Sequence, residues 1–321
     1  MPDVRFLFAA SLASPDPGLE DLDDQMPRGA AEGEIPALDD PEFGEGRWLR
    51  SEDPVIVVEV DDQARCYPLR VLDYHEIVDD EIAGHPVAVT FCPLSGAGIA
   101  WDRRVGDREL SFLVSGRLYR NDLVMKDRET GSLWPQILGR ALHGELQCTQ
   151  LAYVPTWRTT YGWFRQRYPD GLVLSRPGRH RAIQYESRAN PGYPDSDQTL
   201  FEPEHEDERI PRKRRVVGLA HGDDALAIRR WDLEEVGLTI ETVGGEDVIL
   251  GVVRGRTVAW WTGDRTFTVD EDGYLVGPRG ERWDSYHGRE GNRHLEPAPV
   301  VDCFWFAWAD IHPDTRLWHE T

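Results

Sequence analysis

The amino-acid sequence predicts an α+β protein dominated by strands, arranged as two tandem related modules of small sheets or barrels with short helices. Three observations lead there. Landmarks recur in the same order in both halves, short β-branched runs are separated by Gly, Asp and Pro, and few stretches have helical spacing.

The landmarks begin with Val55-Ile56-Val57-Val58 followed by Asp61-Asp62-Gln63-Ala64, matched by Val216-Val217-Gly218-Leu219 followed by Gly222-Asp223-Asp224-Ala225. Gly84 with Val87 and Val89 is matched by Gly244-Gly245 with Val248 and Leu250, and Gly131-Ser132-Leu133-Trp134 by Gly280-Glu281-Arg282-Trp283. Both halves close on an aromatic segment ending Tyr168-Pro169-Asp170 or His312-Pro313-Asp314. The ordered repetition points to a duplication.

Taken along the chain, residues 1–45 read as an acidic arm, because Pro, Gly, Asp and Glu without large apolar groups cannot offset the entropy of ordering. Ile35-Pro36-Ala37-Leu38 is its expected anchor. The first module spans 46–175, with strands expected at 55–60, 64–67, 86–91, 98–102, 110–115 and 122–126. Leu69 and Leu72 give the stretch from Pro68 to Val78 the spacing of a short helix carrying His75, and a second helix is expected over 159–167, stopped by Pro169. Polar residues 176–214 form a linker or excursion. The second module, 215–321, repeats the strand pattern at 216–220, 224–228, 247–253, 256–261, 265–269 and 273–276, and a buried helix begins near Cys303.

Bulk properties narrow the function. A chain of 321 residues that is 40% hydrophobic can build its cores without staples. Cys66, Cys92, Cys148 and Cys303 are widely spaced, so neither a disulfide scaffold nor a zinc knuckle is indicated. The net charge of −22 argues against nucleic acid and anionic membrane as partners and leaves a small-molecule ligand or substrate. Lys126 and Lys213 are the only lysines, a composition that suits high ionic strength. Phe6 to Ala13 is apolar, but Asp3 weakens any basic leader before it and no stretch is long enough to span a membrane. The expected location is cytoplasmic, with secretion as the alternative.

The halves differ where chemistry could occur. Following the matched glycine strand, the first has Phe91-Cys92-Pro93-Leu94-Ser95-Gly96-Ala97-Gly98, whereas the second runs Val252-Val253-Arg254-Gly255-Arg256-Thr257. Tyr67-Pro68-Leu69 and His75-Glu76 stand against Ile228-Arg229-Arg230 and Glu235-Val236. A thiol at a strand end beside a Gly-containing turn suits a nucleophile or soft metal ligand, and the alternative is a small buried hydrophobe. His75 can serve Cys92 as a base or share a metal with it, since imidazole and thiolate together suit Zn or Cu; otherwise it packs or caps. Cys92, His75 and Glu76 are thus the catalytic candidates, and Cys92, His75 and His143 the metal-ligand candidates. Tyr67, Arg128 and Trp134 are candidates for holding substrate, an arginine beside an aromatic being able to clamp an anion.

Together these motifs resemble the uncharacterised family catalogued as domain of unknown function 3179. The resemblance rests on Asp53-Pro54-Val55, Tyr67-Pro68-Leu69, His75-Glu76, Phe91-Cys92-Pro93-Leu94, Asp127-Arg128-Glu129-Thr130-Gly131-Ser132-Leu133-Trp134 and Phe304-Trp305-Phe306-Ala307-Trp308. It covers nearly everything after residue 35 and implies no activity. Some members carry a second cysteine where this chain has Ser95, which counts against a two-cysteine redox centre or a Cys-rich zinc site. The sequence therefore suggests a metal- or thiol-dependent enzyme acting on a small molecule in the first module, the alternative being a non-catalytic ligand-binding or scaffold protein.

Overall fold

Strands built on Val, Ile and aromatic residues account for most of the described structure, and four short helices interrupt them among the described residues. The computed structural model describes residues 26, 29–178, 183, 185–189 and 192–318. The apolar stretch from Phe6 to Ala13 lies outside the described residues. The expected α+β, strand-dominated class is what the chain adopts. No described helix is long and apolar enough to cross a membrane.

Residues 54–174 and 215–317 run through the same order of elements with the same pairings. In the first half the Pro54–Val60 and Gln63–Pro68 strands form a hairpin, followed by the Leu69–His75 helix and the Ile77–Ile82, His85–Phe91 and Gly98–Asp102 strands. The later Thr156–Thr160 strand returns to the Pro54–Val60 strand, leads into the Tyr161–Arg167 helix, and ends in Leu172–Leu174, parallel to Gln63–Pro68. In the second half the corresponding elements are Arg215–His221, Asp224–Arg229, the Arg230–Val236 helix, Leu238–Val243, Glu246–Val253, Arg256–Trp261, Val300–Phe304, the Trp305–Ile311 helix and Arg316–Leu317. Even the chain leaving the last helix agrees, with Tyr168 at φ −126°, ψ 76° and His312 at φ −124°, ψ 74°.

The halves interlock. An eight-stranded sheet runs Arg316–Leu317, Asp224–Arg229, Arg215–His221, Val300–Phe304, Gly98–Asp102, His85–Phe91, Ile77–Ile82, with Tyr153–Val154 added on Gly98–Asp102. Asp302 opposite Gly98 is the join between the two halves. On the other side, Arg256 of the second half reaches Glu59 of the first at 2.6 Å, its guanidinium lying 4.4 Å from the Trp157 ring and 4.8 Å from that of Tyr286. The largest core draws on both halves, placing Ile99 and Phe112 with Val216 and Trp305.

Several elements escape sequence reading for identifiable reasons. The Ile77–Ile82 strand is hidden by its acidic centre, yet Asp79 accepts from the Phe112 N–H at 2.7 Å and Asp80 from the Tyr67 hydroxyl at 2.6 Å. The Arg230–Val236 helix buries only Leu233 and leaves Trp231 exposed, so it lacks an apolar face to detect. The expected anchor of the acidic arm pairs as a strand would, with Leu38 bridging Val78. The described residues of 176–214 lie against both halves: Arg188 pairs with Asp73 at 2.8 Å, Asn121 exchanges hydrogen bonds with the Phe201 backbone, and the Asp207 carbonyl accepts from the Trp305 indole N–H at 3.0 Å.

Candidate functional site

The Leu69–His75 helix and the turn after His85–Phe91 bring the chemically capable residues to one end of the first half. The element order also corrects the pairing of motifs. It sets His75 against Val236 and Glu76 against Gly237, one residue further than Glu235-Val236. Glu76 closes its helix at φ +56°, a left-handed conformation that glycine adopts freely and a side chain resists. Gly237 occupies the same place at φ +77°. The first half therefore keeps a carboxylate where the backbone alone favours glycine.

Cys92 follows the strand directly, and its N–H bonds the Ala97 carbonyl at 2.9 Å. Four residues, Pro93 to Gly96, make this turn, whereas Arg254-Gly255 suffice in the second half. The longer turn lies against the second half: the Ser95 carbonyl accepts from the Phe304 N–H at 2.8 Å and the Gly96 carbonyl from Arg215 at 3.2 Å. Gly96, at φ +67°, has no side chain because a Cβ there would meet the Phe304 ring at 2.7 Å.

Within this turn the Ser95 N–H points at the Cys92 sulfur, 3.5 Å away, and the Ser95 hydroxyl donates to Asp122 Oδ1 at 2.9 Å. The other oxygen of Asp122 accepts from the Ile137 N–H at 2.8 Å. Cys92, Ser95 and Asp122 are all buried. Burial pushes the Asp122 carboxyl up to about 7 against the pull of its hydrogen bonds. Glu76 rises to about 8, through burial first and then the charges of Asp122 and Asp73. The same causes, burial followed by Asp122 and Glu76, push the Cys92 thiol up to about 12. At neutral pH Cys92 is a neutral thiol, and the neighbouring carboxyls sit where protons can be gained or lost.

The other candidates are dispersed. His75 is buried with Nδ1 donating to the Pro36 carbonyl at 2.7 Å and Nε2 2.7 Å from the Tyr185 hydroxyl, so both nitrogens are taken up in holding the arm and the connecting segment. The expectation that it serves Cys92 is corrected accordingly. His143 is exposed, and its backbone carbonyl pairs with the Leu133 N–H. Cys92, His75 and His143 therefore do not form a metal site. Among the described residues, three potential ligands with converging atoms occur at Glu59, Asp62 and His287. There Glu59 is already bound by Arg256 and His287 Nδ1 by Asp284 at 2.6 Å.

Tyr67 lies buried with its hydroxyl on Asp80, and Arg128 is exposed and paired with Asp39 at 2.9 Å. Trp134 is fully buried and donates its indole N–H to Asp127 Oδ2 at 2.9 Å. None of the three faces a shared pocket, which corrects the substrate-holding expectation. Asp127 explains the motif instead: it also accepts from the Thr130 N–H and hydroxyl and from the Ser132 N–H, tying the hairpin to the tryptophan beneath it.

The residues missed by sequence reading are Asp122, Arg158 and Arg215, whereas Ser95 is noted there as the position at which some family members carry cysteine. The arginines line a cleft between the halves with Phe91, Gly98, Trp157 and Asp302. Asp122 opens the Asp122–Asp127 strand directly after the Arg120-Asn121 turn, with no distinguishing context among 58 acidic residues, and no local signal could have singled it out.

Three outcomes follow from this geometry. Glu76→Gly, read by thermal denaturation at pH 8, raises stability by about 1 kcal/mol or more through relief of the left-handed strain. Asp127→Ala lowers stability by roughly 3 kcal/mol or more, because several buried donors lose their acceptor. With Cys66, Cys92 and Cys303 buried and Cys148 exposed, one of the four thiols reacts quickly with a neutral thiol reagent in the native protein, and Cys148→Ser removes it.

No curated protein and no solved structure gave a significant match to the chain. A family model described as a protein of unknown function, DUF3179, matches residues 32–315. The chain belongs to that family, as the motifs around Cys92 and Trp134 led one to expect.

Proposed function

We propose that the protein is an enzyme acting on a small molecule by proton transfer, with Glu76 as the group that meets the substrate and Asp122 as the positioning residue that sets its proton affinity. The single observation carrying this reading is Glu76 itself, a carboxyl raised to about 8 on a strained left-handed residue. Strain and an uncompensated carboxyl both oppose stability, and sites that retain such costs are disproportionately functional. No hydrogen bond or ion pair engages the Glu76 side chain among the described residues, and it is partly open where Asp122 is closed. At neutral pH Glu76 is mainly protonated and is suited to deliver a proton as a general acid, the ionised form being recovered from solvent or product.

In this reading the thiol of Cys92 is a wall of the site and not its nucleophile. The two halves are copies of one module, the second having lost the carboxyl and the longer turn. Their shared element order and matching helix caps support this.

The test follows the titration of Glu76 by carboxyl-labelled NMR and turnover of a panel of small esters, lactones and oxo acids. A carboxyl titrating near pH 8 is expected; it disappears in Glu76→Gln and moves down in Asp122→Asn, where a neighbouring negative charge is gone. Turnover is lost in Glu76→Gln, and its pH profile moves down in Asp122→Asn. A Glu76 that titrates in the ordinary carboxylate range sinks the reading. Binding without turnover, unchanged in Glu76→Gln, favours the non-catalytic alternative. Stability gives a second check. Because the native state keeps protons on Glu76 and Asp122 that the unfolded chain has released, the contribution of these two groups to stability falls from about pH 4 to about pH 8 and then levels. Glu76→Gln makes that fall shallower.

A further inference from the structure

Arg158 stands out in a chain whose arginines are mostly paired. It projects from the Thr156–Thr160 strand into the cleft between the halves and makes no hydrogen bond or ion pair among the described residues. Its counterpart in the order of elements is Asp302, on the Val300–Phe304 strand across the cleft. That carboxylate is committed elsewhere. Arg215 Nε donates to Asp302 Oδ1 at 2.8 Å, and Arg230 Nη1 lies 3.3 Å from Oδ2 while also bonding the Thr257 hydroxyl at 2.6 Å. Despite its burial Asp302 stays ionised, its carboxyl held below the usual range by Arg215, Arg230 and Arg158 in that order. Arg230 is also held by Glu234 at 2.8 Å, so Asp302 is left chiefly to Arg215 and Arg158, in a protein of net charge −22.

Burial and the charge of Arg215 draw the Arg158 guanidinium down to about 9, which still leaves it charged at neutral pH. Arg158 is half-buried, and its guanidinium is repelled by that of Arg215 unless an anion is shared between them. The cleft itself, about 10 Å³, has room for one water molecule at most, so an anion meets the half-buried guanidinium at the mouth. There the planar guanidinium can offer two parallel N–H groups to a carboxylate.

We propose that Arg158, supported by Arg215, binds the carboxylate end of a small organic acid. This deepens the proposed function by naming the substrate class. The two sites are neighbours because Phe91, Gly96 and Gly98 line the arginine cleft while Cys92 and Ser95, on the same turn, border the carboxyl pair. Asp73 lies within electrostatic range of both Glu76 and Arg158.

The experiment titrates the full chain with acetate and, separately, inorganic phosphate at constant ionic strength and pH 7, read by calorimetry and melting temperature. The variants are Arg158→Met, Arg158→Lys and Glu76→Gln. Acetate is expected to bind and raise the melting temperature of the parent protein. Its affinity falls at least tenfold in Arg158→Met, falls less in Arg158→Lys, and changes less than threefold in Glu76→Gln. Without ligand, Arg158→Met melts higher than the parent because an uncompensated cation is removed. Equal acetate affinity in a folded Arg158→Met, absence of acetate binding by the parent, or preference for phosphate overturns the proposal. Acetate binding through Arg158 alongside an ordinary Glu76 titration leaves this site standing while the acid–base reading falls.

Discussion

The main-chain join between Gly98 and Asp302 is the constraint on which the rest of the molecule depends. Sheet hydrogen bonds fix position in discrete steps, so a strand shared between halves sets their mutual register. The turn holding Cys92 and Ser95 leads straight into that join and is clamped from the far side by the Phe304 N–H and by Arg215. Displacing the join would draw the Phe304 N–H and Arg215 away from the Ser95 and Gly96 carbonyls and open the cleft below Arg158. The buried Arg256 and Glu59 pair performs the matching task on the opposite side. The second half thus forms one wall of the cleft.

Glu76 shows the cost of placing a carboxyl at such a junction. A residue that closes a helix in the left-handed region is best served by glycine, and Gly237 is that solution where nothing else is asked of the position. In the first half the same backbone must carry an acid that burial and two neighbouring carboxylates keep protonated. Neither feature strengthens the fold. Asp127 is the contrast, an acid of the same chain spent wholly on structure, with each of its oxygens accepting from the hairpin it organises.

Much of this was legible in the sequence where local pattern and tertiary role agree. The strand-rich class, three of the four helices and the Leu38 anchor follow from periodicity and punctuation. The family follows from several short motifs taken together. Legibility failed where a side chain's meaning depends on distant partners. The acidic centre of Ile77–Ile82 reads as loop because its partners, the Phe112 amide and the Tyr67 hydroxyl, are remote in sequence. His75 and Trp134 looked chemical because they are capable residues in dense motifs, yet both are saturated by neighbours. Asp122 and Arg158 looked ordinary, being single charged residues in a highly charged chain, and only packing reveals one as enclosed and the other as unmatched.

The shared strand also bears on how the molecule is made. A chain emerges from the ribosome N-terminus first, and Gly98–Asp102 appears long before Val300–Phe304 exists to lie beside it. Tyr153–Val154 covers part of that strand early, at Ala100 and Trp101, but the Gly98 end keeps unpaired backbone groups until Val300–Phe304 has been made. A nascent or prematurely terminated product can therefore hold the thiol and the carboxyl pair without the wall that carries Asp302 and Arg215. The two-sided cleft forms only once Val300–Phe304 has been made, so the order of synthesis determines when its two walls first meet.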